Sequence, residues 1–279
     1  MADISYDVLK KRVFLDRNFD LGKYSEEYVK RRVNSRMFVL KIEKDNFSIY
    51  ADFLKKNPEE YPKLFDAFSI NVTEFFRDVP LWKLLRQKYF PELIELKKNS
   101  QAPCVRVWSA GCSTGEEPYS IAMLFNDILP GNFTFSITAT DIDRDALEKA
   151  SKGVYDEAQL KNAGQVNPFY LKKHFTAEPD EKHPDCKKFR VSDGLKRNII
   201  FRHNNFTADD PPRMMDIVFC RNAMIYIARE AKESIFRKVH DSLVEGGLFI
   251  IGKSEILPVT RENNSFKLEC QLEHIYRKA

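Results

Sequence analysis

From residue 104 onward the sequence alternates short apolar runs with amphipathic segments, and this pattern constrains the fold more than any other feature. The apolar runs are VRVWSAG (105–111), FSITATD (135–141), MDIVFCRN (215–222) and GLFIIG (247–252). Such alternation is typical of a parallel sheet with helices on both faces. The C-terminal segment FKLECQLEHIYRK (266–278) alternates with period two instead, which predicts an antiparallel edge strand.

The first hundred residues have helical spacing almost throughout. One apolar stripe recurs at i, i+4, i+8 and i+11 and consists of Val29, Val33, Met37 and Leu40. The polar stretch 97–102 (KKNSQA) has the composition of a linker. We therefore predict a helical domain over residues 1–98 and an α/β domain over residues 99–279.

Residues 155–204 interrupt the α/β alternation. KKFRVS (187–192) and NIIFRH (198–203) each alternate with period two on either side of Asp193-Gly194, a dipeptide that favours tight hairpins. KHFTAE (173–178) can supply a third strand. These residues predict a small antiparallel β-subdomain inserted into the α/β domain, with a hairpin that turns at Asp193-Gly194.

The composition excludes several classes of protein. Apolar residues make up 43% of the 279-residue chain, which excludes a disordered chain, and no window approaches the roughly 18 consecutive apolar residues of a membrane span. The 45 Lys+Arg against 41 Asp+Glu give a net charge of +4, too small to indicate a nucleic-acid or membrane partner. The N-terminus has no apolar signal segment. We expect a cytoplasmic protein, without nucleic-acid binding or membrane insertion, that requires no state beyond a monomer.

The cysteines indicate a reducing compartment. There are five, without a CxxC pair, so structural disulfides are not expected. The one grouping of metal-ligand type, His174 with His183 and Cys186, fits no standard zinc spacing. We therefore predict no metal site.

The scarce glycines point to a ligand site. Only ten occur, where average usage of about 7% would give about twenty, and Gly111 and Gly115 share one strand-to-helix turn, AGCSTGEEP (110–118). Such a turn brings backbone N–H groups close to a ligand. Asp141 ends the next predicted strand, where a carboxylate can accept two hydrogen bonds from a ribose diol.

The spacing of this turn narrows the class of ligand. G-x-x-x-G is not the G-x-G-x-x-G of dinucleotide sites, which counts against a nicotinamide oxidoreductase. It suits a nucleoside ligand without phosphates, of which adenosyl sulfonium is the commonest. A tight turn followed by a capping Asp is the structural alternative.

The segment NVTEFFRD (71–78) precedes the α/β pattern. It places Asn71, Thr73 and Arg77 beside Phe75 and Phe76. Either the polar residues face a ligand, or the phenylalanines pack between domains and Arg77 is a surface cation. These residues alone leave both interpretations open.

Five motifs, in order along the chain, resemble one family. They are NVTEFFRD, VWSAGCSTGEEPYSIAM, TATDIDRDALEKASKGVY, FCRNAMIYI and GGLFIIGKSE. Together they resemble the chemotaxis receptor methyltransferases, the CheR family, over roughly residues 23–257. The resemblance implies an α/β fold, with a Rossmann-like S-adenosylmethionine methyltransferase sheet, a helical N-terminal domain and a small antiparallel β-subdomain insertion. The residues by themselves indicate the same three parts.

The resemblance also implies which residues bind S-adenosylmethionine and its product S-adenosylhomocysteine. Asp141 holds the ribose, and Glu117 approaches the cofactor above the glycine turn. Asn205 and Phe206 flank the adenine, although Phe206 stands where the family has an aliphatic residue. The remaining cofactor-binding residues are Asn71, Thr73, Arg77 and Gly111, with Arg221 and Asn222 at the amino-acid end.

The reaction implied by the resemblance is O-methylation of glutamate side chains on the cytoplasmic helical bundle of a chemoreceptor. It gives glutamyl γ-methyl esters, the modification used for sensory adaptation in chemotaxis. A glutamate is ionised at pH 7, so the acceptor needs no general base. We expect Arg77 to orient the substrate carboxylate, because its planar fork grips a carboxylate, and Tyr226 to hydrogen-bond beside the methyl group.

Two surfaces bear on the partner. From Lys30 to Lys41 the chain carries five cations and no acid. This run is either a solvated helix face or a docking surface for acidic receptor helices, which we assign to Arg31, Arg32 and Arg36. Some family members capture a receptor pentapeptide on a glycine-bearing loop of the β-subdomain. The corresponding tip, AEPDEKHPDC (177–186), has no glycine, so we predict no pentapeptide tether.

Two rival functions share the same fold. One is a methyltransferase that acts on another protein carboxylate. The other is a non-catalytic regulatory module that senses S-adenosylmethionine or S-adenosylhomocysteine. Arg77 and Tyr226 count against the second, because a site without catalysis is free to lose them.

Overall fold

The structure is a computed structural model that describes residues 4–68, 73–101, 103–179, 187–257 and 266–279. Its contacts divide the chain into two units. The first comprises Met1–Ile70 with Met224–Phe236, and the second comprises Asn71–Ala223 with Arg237–Ala279. No described helix is long and apolar enough to cross a bilayer.

The first unit is helical, as predicted. Its N-terminal helices are α1 (Ile4–Arg17), α2 (Glu26–Val39), α3 (Phe47–Lys56) and α4 (Glu60–Phe68). Helix α2 begins at Ser25, whose side chain accepts a hydrogen bond from the Tyr28 N–H. Three residues of the predicted apolar stripe, Val29, Val33 and Met37, are fully buried. The fourth, Leu40, follows the end of α2 and is only half-buried.

A buried ion pair joins α2 to α4. The Arg36 guanidinium donates from Nε to one Glu60 oxygen at 2.8 Å and from Nη2 to the other at 3.0 Å. Glu60 also accepts a hydrogen bond from the hydroxyl of Tyr50 at 3.3 Å. Because Glu60 is only 2% exposed, its charge depends on Arg36 for compensation. Arg36 therefore stabilises the packing of this unit.

The second unit opens with helices. Helix α5 (Val79–Leu84) continues through a π-helical turn (Leu85–Tyr89) into α6 (Phe90–Lys97). Three longer helices follow the strands of the sheet, and they are α7 (Glu116–Ile128), α8 (Arg144–Lys152) and α12 (Arg229–Ser242). Of these, α12 belongs to the first unit up to Phe236. The short helices are α9 (Ala163–Val166), α10 (Tyr170–His174) and α11 (Asp193–Lys196).

The described residues of this unit form a seven-stranded mixed sheet. Its strands are β1 (Cys104–Ala110), β2 (Thr134–Asp141), β6 (Ile199–His203), β7 (Met215–Cys220), β8 (Leu243–Ile251), β9 (Phe266–Cys270) and β10 (Ile275–Lys278). Their order is β6-β2-β1-β7-β8-β10-β9. The first five run parallel, and β10 pairs antiparallel with both β8 and β9. The predicted Rossmann-like sheet is thus confirmed, and the strand order reverses between β1 and β7.

The C-terminal prediction is only half right. The segment over 266–278 is antiparallel, as expected, but it forms two strands rather than one. A turn over 271–274 sends β10 back between β8 and β9, which leaves β9 as the edge. The pairing of β9 with β10 is irregular between Ile275 and Tyr276.

The small antiparallel sheet is present, but the predicted hairpin is wrong. Strands β3 (Val154–Asp156), β5 (Lys187–Val191) and β4 (Phe175–Pro179) form it in that order. Asp193-Gly194 instead opens α11, which buries Leu195, and the following strand β6 pairs in parallel with β2. The extents predicted for the domains and for the inserted subdomain stay predictions.

Candidate active site

The glycine turn lies between β1 and α7, at the point where the strand order reverses. Gly111 has φ +77° and Gly115 has φ +96°, a conformation that side chains disfavour. A Cβ on Gly111 would lie 2.7 Å from the Cβ of Ala223, and one on Gly115 would lie 2.9 Å from that of Ala150. Both positions therefore require glycine, for conformation and for space.

Asp141 lies at the carboxyl end of β2, beside this turn. One carboxylate oxygen accepts the Ser113 N–H at 2.7 Å and the other accepts the Asp143 N–H at 2.9 Å. Burial raises the pKa of Asp141, and these N–H groups partly offset the rise. Each oxygen keeps a second lone pair, so the pair of oxygens fits the two hydroxyls of a ribose.

A network of charges surrounds Arg221 at the end of β7. Its Nη1 lies 3.2 Å from a Glu117 oxygen, and its Nη2 donates to Asp78 at 2.5 Å and to the Arg77 carbonyl at 3.0 Å. Ser109 donates to the other Glu117 oxygen at 2.8 Å. Burial raises the pKa of Glu117, and the positive charge of Arg221 opposes that rise. The network joins three segments that are far apart in the sequence.

One donor of this network stays available. The Nε of Arg221 is buried and has no hydrogen-bond partner among the described residues. A buried donor without a partner is costly unless a ligand or water satisfies it. This orphaned donor fits the acceptor-bearing amino-acid end of S-adenosylmethionine.

Glu255 is a site residue that the sequence reasoning missed. One of its oxygens accepts the N–H groups of both Asn222 and Gly252 at 2.8 Å each, and Glu255 is only 3% exposed. It thereby holds Asn222 in a left-handed conformation, with φ +60°. The available signal was the acid in GKSE, three residues after the glycine that ends the fourth apolar run.

The loop after β6 carries Asn205 and Phe206. The Asn205 side-chain oxygen accepts from the Thr207 N–H at 3.1 Å and from its hydroxyl at 2.7 Å, which closes a local turn. Phe206 is half-buried. The contacts of these two residues with adenine stay predictions.

The segment before α5 contributes both backbone groups and two fully buried side chains, Phe75 and Phe76, which belong to the core of the second unit. Phe76 donates its N–H to the Ser120 hydroxyl at 2.9 Å, and the Arg77 carbonyl also accepts the indole N–H of Trp82 at 2.7 Å. The side chains of Arg77 and Thr73 are half-buried. Asn71, predicted to bind the cofactor, lies outside the described residues.

Four predicted residues belong to the first unit. Tyr226 lies half-buried in it, and Arg31 is exposed on α2. The guanidinium groups of Arg31 and Arg32 lie 5.8 and 5.4 Å from the ring centroid of Tyr28. Arg36, the third predicted docking residue, instead donates from its Nε and Nη2 to the two oxygens of Glu60.

The structure places only one of the three grouped metal-type residues. His174 is buried, and burial lowers its pKa to about 4. His183 and Cys186 lie outside the described residues. In the part of the chain that is described, no three His, Cys, Asp or Glu side chains are grouped as a metal site requires.

Comparison with known proteins identifies the family. The CheR methyltransferase S-adenosylmethionine-binding domain matches residues 71–273, and the CheR methyltransferase all-alpha domain matches residues 4–69. The chain belongs to the CheR methyltransferase family. This CheR-family chain is therefore an S-adenosylmethionine-dependent methyltransferase of chemotaxis, and S-adenosylmethionine is its cofactor.

Curated relatives agree with this assignment. The chemotaxis protein methyltransferase of Borreliella burgdorferi is 32% identical over 274 residues, which covers 92% of this CheR-family chain and 93% of the relative. That of Salmonella typhimurium is 30% identical over 262 residues, covering 91% and 84%. The similarity thus extends over both units.

Gly111→Ala is expected to lower the affinity for S-adenosylhomocysteine at least tenfold, because the new methyl group collides with Ala223 and shifts the turn. Isothermal titration calorimetry measures this. The matched control is Gly246→Ala, where φ is +73° but nothing lies within 4 Å of the added Cβ. The control should cost about 1 kcal/mol of stability from backbone strain alone and leave affinity unchanged. Normal binding by Gly111→Ala would contradict the geometry of the turn.

Proposed function

We propose that this chain methylates glutamate side chains on the cytoplasmic helices of a chemoreceptor, giving glutamyl γ-methyl esters. The observation that carries the proposal is the match of both CheR domains, the all-alpha and the S-adenosylmethionine-binding domain, to consecutive parts of one chain. The curated relatives, which are named as chemotaxis protein methyltransferases and are matched over 93% and 84% of their lengths, support it.

The carboxyl ends of β1, β2 and β7 supply the cofactor site in this proposal. Asp141 holds the ribose hydroxyls, with its carboxylate fixed by two backbone N–H groups. Arg221 and Asn222 border the amino-acid end, where Arg221 has an unsatisfied donor. The acids Glu117 and Asp78 balance the charge of Arg221, which keeps the guanidinium in place.

The chemistry asks for positioning and desolvation rather than for proton transfer. Bound S-adenosylmethionine supplies a methyl group on a sulfonium, whose carbon–sulfur bond breaks, with its electron pair going to sulfur, as a carboxylate oxygen bonds to the methyl carbon. A substrate glutamate, with an ordinary pKa of about 4.3, is already ionised. Correct orientation and removal of water can account for on the order of 7–11 kcal/mol of the barrier.

Arg77 and Tyr226 are the residues that we assign to the substrate carboxylate. The backbone of Arg77 is anchored through its carbonyl to Trp82 and Arg221. Its guanidinium, on this fixed backbone, pairs with the carboxylate and presents one oxygen for transfer. Tyr226 hydrogen-bonds beside the methyl group.

The docking surface that we propose lies on α2 and the loop after it. Arg31 borders a groove of about 620 Å³ in the first unit, together with Phe38, Ile42 and Lys44. Phe38 is 84% exposed, so the groove offers an apolar contact beside two cations. An amphipathic receptor helix with acidic residues complements this surface. Arg36 is left out because Glu60 neutralises its charge. Arg32 is left out because it is not among the residues that line the groove.

The remaining expectations follow from the proposed substrate. A chain that modifies the cytoplasmic helices of a receptor works in the cytoplasm, and it can do so as a monomer. The loop expected to lack pentapeptide binding falls mainly on residues 180–186, which lie outside the described residues. Its independence of the pentapeptide stays a prediction.

The activity itself is tested with methyl-labelled S-adenosylmethionine and a receptor cytoplasmic domain. We expect label on the wild-type receptor that mild base releases, because a glutamyl methyl ester hydrolyses under conditions that N-methyl and ether products survive. Receptor variants with Glu→Gln at the methylation sites serve as the control. Base-stable label, or equal label on the control, would contradict the proposal, and no label at all would favour a sensing module.

Arg77→Ala tests the assignment of the substrate carboxylate. The substitution removes the guanidinium but keeps the carbonyl that binds Arg221 and Trp82, so the network should persist. We expect kcat/KM for the receptor to fall at least a hundredfold while S-adenosylhomocysteine affinity changes by no more than a few-fold. Arg77→Lys, which retains charge without the planar fork, should recover only part of the activity. Near-normal turnover with altered cofactor affinity would refute the assignment.

The docking surface is tested by the double charge reversal Arg31→Glu/Lys44→Glu. Because complementary charge accelerates association, kcat/KM for the receptor should fall roughly tenfold at low salt, while kcat stays constant. The deficit should shrink as salt screens the charges. The control is Lys55→Glu/Lys56→Glu on α3, an equal change of charge at two exposed positions of the same unit. An equal loss in both variants would mean that only net charge matters.

A further inference from the structure

The segment that carries Tyr226 is tied by its backbone to the start of α2. Ser25 donates its N–H to the Tyr226 carbonyl at 2.9 Å, and the Ala228 N–H donates to the Lys23 carbonyl at 2.8 Å. Tyr24 and Ile227 form an antiparallel bridge between these two contacts. These backbone contacts fix where the segment runs, but they leave the side-chain torsions of Tyr226 free.

The ring of Tyr226 stacks on the ring of Tyr28 of α2. Their ring centroids are 4.1 Å apart and their planes differ by 12°, which is a stacked arrangement. Stacking at this distance restricts the orientation of a half-buried ring and hence the direction in which its hydroxyl points.

Tyr28 is itself held rigidly. It is 3% exposed, and its hydroxyl donates to the carbonyl of Phe68 at the end of α4. Burial raises the pKa of Tyr28, so its hydroxyl stays protonated and remains a donor at neutral pH. The guanidinium of Arg32 lies 5.4 Å from its ring centroid. The Tyr28 ring therefore offers a fixed plane for the ring stacked on it.

We propose that Tyr28 is a positioning residue for methyl transfer: its anchored ring restricts the rotation of the Tyr226 side chain and hence the direction in which the Tyr226 hydroxyl points. This inference rests on the proposed function, since it concerns the catalytic role of Tyr226. In this proposal, helix α2 carries the docking cation Arg31 and also positions the side chain of Tyr226.

The inference predicts an effect on kcat that depends on the Tyr226 hydroxyl. Tyr28→Leu removes the stack and should lower kcat about tenfold, with S-adenosylhomocysteine affinity and receptor KM each within twofold of wild type. Tyr28→Phe keeps the stack and loses only the anchoring hydroxyl, so it should keep at least half of kcat. If Tyr28→Leu does not fold, Tyr28→Met takes its place. Tyr6→Leu is the matched control, because Tyr6 is also 3% exposed and packs on Phe47 instead.

A double-mutant cycle with Tyr226→Phe separates positioning from a structural effect. With the Tyr226 hydroxyl already removed, Tyr28→Leu should lower kcat no further. An equal tenfold loss in both backgrounds, or a loss of the same size in Tyr6→Leu, would overturn the inference. If Tyr226→Phe alone has wild-type kcat, the proposed role of Tyr226 fails, and the inference fails with it. If the wild-type chain gives no base-labile label, the proposed function fails first.

Discussion

One buried cation, Arg221, holds together the segments that form the candidate active site. Its guanidinium contacts Glu117 at the start of α7, Asp78 and the carbonyl of Arg77 before α5, so it joins the end of β7 to two distant segments. A single buried carboxylate such as Glu117 would cost several kcal/mol if it had no partner. A lysine could not replace Arg221, because three acceptors in three directions require the planar fork. The backbone of Arg77 is therefore positioned by a residue that lies 144 positions later in the sequence.

The buried acids of this site lower the free energy of unfolding when they are ionised. Burial is the largest cause of the raised pKa values of Asp141, of Glu117 and of Glu116, the fully buried residue that begins α7. Since the folded chain holds these protons more tightly than the unfolded chain, stability falls as pH rises from their ordinary range through the raised pKa values. At neutral pH the ionised acids thus cost folding free energy, which the charge of Arg221 offsets for Glu117. A ligand that carries positive charge offsets more of it, and a sulfonium cofactor is such a ligand.

The sequence predicts those parts of the structure that depend on local pattern. The strands ending at Ala110, Asp141 and Cys220 coincide with the apolar runs of the sequence. Gly111 and Gly115 between β1 and α7 stand out because the chain has only ten glycines. The hairpin at Asp193-Gly194 fails because Gly194 does not adopt the positive φ that such a turn needs, and burial of Leu195 in a short helix prevails. The pairing of Arg36 with Glu60, which counts against a docking role, is not visible in the sequence because Glu60 lies 24 residues away. No periodicity in the sequence shows this ion pair or the hydrogen bond from the Asn222 N–H to Glu255, because both depend on the tertiary fold.

At Tyr226, main-chain contacts determine the path of the backbone, and a stacking contact restricts the side chain. The bridge and the two hydrogen bonds to Lys23–Ser25 involve only main-chain atoms, so they would form with almost any side chains at these positions. They explain why Met224–Phe236 belongs to the helical unit, although the neighbouring Arg221 and Asn222 belong to the sheet unit. What the main chain leaves undetermined is the rotation of the Tyr226 side chain about its Cα–Cβ bond, and the ring of Tyr28 stacks on the Tyr226 ring. A reaction that depends on orientation more than on proton transfer is sensitive to that rotation. The proposed role of Tyr226 thus depends on the geometry of an aromatic pair within the helical unit.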